Sequence, residues 1–147
     1  MGMKISTGLA NAMLSGSGLR SALTGMNMRI YAGTEPASAN DSIGSAVLLV
    51  TITDAGGAGA LTFETNAVSG VLSKSSSQVW EGTAVASGTA TFCRLLLPAD
   101  GDGSSTTAVR IQGDAGLAGR FLNLTSTAIS SAAVQRVGNL SIAMPLQ

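Results

Sequence analysis

Apolar positions along the chain follow two rhythms. In residues 1–27 they fall at helical spacing, with Leu9, Met13 and Leu14 in one group and Leu19, Ala22, Leu23 and Met26 in the next. Thr7 is placed to cap the first helix and Ser17 the second, and Gly16 and Gly18 separate them. Each helix is too short to stand alone, so its leucines must dock either on the chain's own sheet or on a neighbouring subunit. From Met28 onward the rhythm changes to short alternating or apolar runs divided by Gly, Asp, Asn and Ser clusters, the pattern of an antiparallel β-sandwich or barrel-like domain. Strands are predicted at 28–32, 46–53, 60–64, 70–73, 77–81, 88–97, 107–112, 121–130 and 137–145. Asp54-Ala-Gly-Gly and Asp100-Gly-Asp-Gly mark turns between them. The fold class expected is therefore mainly β with a short N-terminal helical segment (1–27) on a β-rich domain (28–147), forming one compact unit. The longest irregular connection, 33–44, carries Glu35-Pro36 and Asn40-Asp41, and long exposed loops on a rigid sheet are where partner contacts usually sit.

Composition narrows the function. A chain of 147 residues buries roughly two-thirds of its unfolded surface and needs no staples. Eight basic and eight acidic residues are scattered singly, so no basic stripe exists for nucleic acid. The longest strongly apolar stretch, 46–50, is far below the roughly 20 residues of a membrane span, and no uninterrupted apolar core of a secretory signal forms near Lys4. Only 11% of residues are charged, against about 25% in an ordinary soluble domain. Weak self-repulsion favours association with neighbours. With aromatic residues at 3%, the core is expected to be thin layers of small side chains.

The absence of histidine removes the triad arrangements, the common zinc sites and the usual general base near neutral pH. Lys4 and Lys74 are the only lysines, and neither lies in a Ser-x-x-Lys pattern. Cys93, in an apolar run, reads as a buried small hydrophobe. Asp100-Gly101-Asp102-Gly103-Ser104 is like the start of a calcium loop, but Ile111 stands where a bidentate Glu belongs, so a tight turn is expected. Residues 113–119 are glycine-rich and read as a flexible hairpin connection. Arg94 and Arg110 alternate with apolar neighbours and are expected to line a solvated or intersubunit face. Trp80 is either a core residue or an interface anchor. No catalytic, cofactor-binding or metal-ligating residue is expected, and the chain reads as a non-enzyme.

The phrases Lys4-Ile5-Ser6-Thr7-Gly8-Leu9, Leu19-Arg20-Ser21-Ala22-Leu23 and Arg29-Ile30-Tyr31-Ala32-Gly33-Thr34-Glu35-Pro36-Ala37 carry a resemblance, together with Val79-Trp80-Glu81-Gly82-Thr83-Ala84 and the run from Ala86 to Leu95. They resemble small virion proteins of tailed bacteriophages. The resemblance implies a capsid decoration (cement) or minor capsid protein on the outer surface of the virion, made in the bacterial cytoplasm. Its partners would be itself, as a homotrimer, and the major capsid protein. Contacts are then expected at Leu9, Leu14, Leu19 and Leu23, at Glu35 and Pro36, and at Trp80, unless the leucines cover their own sheet. A tail or head-to-tail connector component would share the same composition. A receptor- or carbohydrate-binding module would need an aromatic platform, for which one Tyr, one Trp and three Phe are a thin supply.

Overall fold

The computed structural model describes residues 2–16 and 18–144. Strand β1 (Met3–Ile5) leads into helix α1 (Thr7–Leu14) and the single turn α2 (Leu19–Ala22). Then come β2 (Asn27–Ala32), β3 (Val47–Asp54), β4 (Val71–Ser73), β5 (Trp80–Thr83), β6 (Gly88–Thr89) and β7 (Phe92–Leu96). The last strands are β8 (Ile111–Gly116), β9 (Leu122–Asn123), β10 (Ala128–Ile129), β11 (Val134–Val137) and β12 (Ser141–Ala143). The chain is mainly β and its sheets are built on antiparallel pairs, with a short N-terminal helical segment, as the polar and apolar pattern predicts. The main sheet has the order β1-β8-β7-β2-β3-β5-β11, with β9 added in parallel beside β8. Two further ribbons pair β10 with β6 and β12 with β4.

Strand alternation decides what lies on each face of the main sheet. Met28 and Ile30 of β2, Cys93 and Leu95 of β7 and Ile111 of β8 point to one side and join Val50 and Ile52 of β3 in the core. Leu9 and Leu23 from the helical segment close this core, and Trp80 fills it beside Phe63, whose ring meets the indole edge-on at 5.5 Å. The indole N–H is satisfied by Gln78 Oε1 at 2.9 Å. Trp80 thus takes the core position rather than a surface one, and a bulky aromatic pair does sit among the small side chains.

Several boundaries differ from expectation for identifiable reasons. The helix cap is Ser6, one residue before Thr7, because β1 holds Ser6 extended at the end of the sheet. Its buried hydroxyl accepts from Leu9 N–H at 3.1 Å and donates to the Ala108 carbonyl at 2.7 Å, tying helix start to sheet. The cap expected at Ser17 lies outside the described residues, and so does Pro145 at the end of the predicted 137–145 strand. Segment 60–64 makes a single bridge, Phe63 with Lys74, rather than a strand, and Leu61 N–H turns to the Met26 carbonyl. Strand β8 begins only at Ile111, since Ser105 Oγ accepts from the N–H groups of Thr107 and Ala108 and holds a turn there. It then runs into the glycine-rich stretch predicted to be a flexible connection. Gly113 is paired in the sheet under the Phe121 ring, where a Cβ would lie 2.3 Å from a ring carbon.

Candidate functional site: a buried polar clamp and the surface around it

The second face of the main sheet is polar. Cross-strand register sets Lys4 beside Gln112, Gln112 beside Arg94, and Arg94 beside Arg29. The adjacent row holds Tyr31, Phe92 and Asp114, with the Tyr31 and Phe92 rings stacked at 4.9 Å. Such a row of cations suggests a wet surface, but the loops 33–44 and 97–110 fold across it. Arg94 and Arg110 are therefore buried inside the protein rather than lining a solvated or intersubunit face. The guanidinium has five donors in a fixed fork, which suits it to loop carbonyls and carboxylates at once.

Each loop is gripped at several points. Asp102 Oδ2 lies 2.6 Å from Arg29 Nη1 and accepts the Tyr31 hydroxyl at 2.5 Å, while its Oδ1 is 3.4 Å from Arg94 Nη1. Arg94 also donates to Gln112 Oε1 at 2.9 Å and to the Asp41 carbonyl at 2.7 Å. Arg110 clasps Asp100 through Nε and Nη2, both at 2.6 Å, and reaches the Ala39 carbonyl at 3.2 Å. Lys4 donates to Glu35 Oε1 at 2.7 Å, and Gln112 Nε2 donates to the Pro36 carbonyl at 2.7 Å. Sheet arginines thus bind both loops to each other as well as to the strands beneath. Among the described residues, no buried side-chain nitrogen or oxygen lacks a partner.

These contacts set the protonation states. Burial and the neighbouring Asp102 carboxylate both push the Tyr31 phenol far up, so it remains a hydrogen-bond donor. Burial acts to raise the Asp100 carboxyl, but the Arg110 fork and the Asp102 N–H outweigh it and hold Asp100 below the usual carboxylate range. Asp114 is likewise held low against burial, by Phe121 N–H and the Arg120 guanidinium. A carboxyl depressed in the folded state contributes stability above its unfolded value, about 3.9, and loses it as pH falls through the folded one. Unfolding free energy should accordingly be flat from about pH 5 to 8 and fall below about pH 4. Urea titrations across that range check this, and a loss centred near pH 6 would contradict it.

The chemistry available is that of a clamp. Asp100 and Asp102 point inward at arginines rather than outward as ligands, and Asp102, with φ +60°, closes a tight turn whose N–H bonds Asp100 Oδ1 at 2.9 Å. Burial pushes the Cys93 thiol well above its ordinary pKa, away from nucleophilic use.

The residues expected to make contacts are dispersed. Leu9, Leu23 and Trp80 are core residues, so the alternative in which leucines cover their own sheet holds for Leu9 and Leu23. Leu14 is 86% exposed. Leu19 is half-buried and lines an apolar groove of about 290 Å³ with Leu72, Ile142 and Met144. Glu35 and Pro36 are half-buried, and the clamp engages the Glu35 carboxylate and the Pro36 carbonyl. Val68, Val85, Leu117 and Val134, which no sequence pattern singles out, are each at least 60% exposed. They stand singly between Gly, Ala, Ser or Gln neighbours, where no periodicity marks them. Set against family models, curated proteins and solved structures, the chain has no significant match in any of the three comparisons.

Proposed function

We propose that this chain is a non-catalytic structural protein of a tailed-bacteriophage virion, a capsid decoration (cement) or minor capsid subunit. It associates with itself as a trimer and attaches to the major capsid protein on the outer shell. The observation that carries the reading is the distribution of charge and aliphatic surface. The cations Arg29, Arg94 and Arg110 are turned inward to hold two loops, while Leu14, Val68, Val85, Leu117 and Val134 remain in solvent. A rigid, weakly charged body with aliphatic side chains on its outside is suited to lasting contact. Contact areas of about 1,600 Å² give firm attachment without catalytic groups, and repeated sites on a shell add avidity. The buried carboxylates Asp100, Asp102 and Asp114 are each engaged by arginines, which disfavours acid–base work at those three positions.

Copy number tests this. Quantitative mass spectrometry of purified particles should find hundreds of copies per virion, in a fixed ratio to the major capsid protein. Tens of copies or fewer would instead put the chain in the tail or neck.

A further inference from the structure

The main sheet ends on β1, and the outer edge of that strand is unpaired among the described residues. Its hydrogen-bonding groups can be assigned from the ladder. Ser6 N–H donates to the Arg110 carbonyl at 3.0 Å, so the register makes Lys4 and Gln112 the next hydrogen-bonded pair. Met3 and Ile5 are then the non-bonded positions toward β8, and their N–H and C=O groups point away from the sheet. No acceptor for the N–H of Met3 or Ile5 exists among the described residues. Their side chains are also uncovered, Met3 by 38% and Ile5 by 42%.

We propose that two copies of this chain pair through the free edge of β1, antiparallel and across a twofold axis at Lys4. The strand is complementary to itself in that register. Met3 of one copy stands opposite Ile5 of the other, twice over, which uses all four outward N–H groups and carbonyls in four bonds. The same alignment sets each exposed methionine against an exposed isoleucine on one face. An edge strand is commonly guarded by a lysine, and here the guard is neutralised. The Lys4 ammonium is drawn to Glu35 Oε1 at 2.7 Å, so the two Lys4 residues meet with a carboxylate beside each. A contact of one patch with itself is what a closed twofold pair requires. The pairing stands independently of the virion reading.

Two variants test it. Ile5→Pro removes an outward N–H but no bond to β8, a position where an edge strand accepts proline. It should weaken twofold pairing, of single chains or of whole trimers, at least tenfold in sedimentation velocity and leave the unfolding temperature within a few degrees of the unmodified chain. Lys4→Cys places two cysteines at a non-bonded antiparallel pair, where Cα atoms approach to about 4.5 Å, within disulfide range. Mild oxidation should yield a covalent dimer much faster than for Thr34→Cys, and the buried Cys93 does not compete. If Ile5→Pro does not fold, the crosslinking rate alone decides. A chain that forms no dimers of chains or of trimers at any concentration, twofold pairing unchanged in folded Ile5→Pro, or Lys4→Cys crosslinking no faster than Thr34→Cys would each overturn the pairing.

Discussion

Asp102→Asn is expected to lower the unfolding free energy by about 3–5 kcal/mol, the usual cost of breaking a buried ion pair from one side. Asparagine keeps the shape of aspartate and tolerates the left-handed backbone at this position, so the substitution isolates the charge. It leaves Arg94, fully buried, with no carboxylate, and the one amide oxygen that remains can serve Arg29 or Arg94 but not both. Tyr31 loses its anionic acceptor at the same time. For a chain of this size about 1 kcal/mol corresponds to roughly 2–4 °C, so thermal unfolding should drop by about 6–20 °C. Amide exchange should accelerate selectively in loops 33–44 and 97–110. The exposed Arg136–Glu81 pair is the contrast, where Glu81→Gln should cost less than about 1 kcal/mol because solvent screens it. Equal effects of the two substitutions would show that the clamp holds nothing.

Gly82→Ala should be at least as disruptive, by a different route. Gly82 is the point where β5 is squeezed between β3 and β11, and a Cβ there would lie 2.0 Å from the Thr51 carbonyl oxygen and 3.1 Å from Val50 Cγ2. The obstacle is backbone in a central strand, so no rotamer change relieves it. Overpacking of this kind costs about 3 kcal/mol or more. Differential scanning calorimetry should record a fall of at least about 6 °C or loss of the cooperative transition. Gly101→Ala, where nothing lies within 4 Å of the added carbon, should leave the transition in place.

How strongly each element shows in the sequence follows from the range over which its signal acts. Strands β2, β3 and β7 declare themselves because their apolar alternation is local and long enough to count. Strand β1 does not, since three residues running straight into a helix offer no period. Gly113 reads as loop in sequence because its reason for being glycine, the Phe121 ring above it, comes from a contact eight residues away. The clamp was hidden for the same reason at longer range. Arg94 and Arg110 alternate as surface residues do, and only the return of Asp41, Asp100 and Asp102 over the sheet makes them interior. Leu9 and Leu23 carried an amphipathic signal that is correct about burial and silent about which body does the burying. Leu14 faces out because, five residues after Leu9, it falls on the other side of the helix.

Electron cryo-microscopy of purified particles, at a resolution that traces strands, decides whether the proposed virion role holds. Density for the β1-to-β11 sheet is expected on the outer shell, repeated around threefold or quasi-threefold axes and touching the major capsid protein. Particles whose density is accounted for without this chain, or a chain recovered only from the host's soluble fraction, would contradict it.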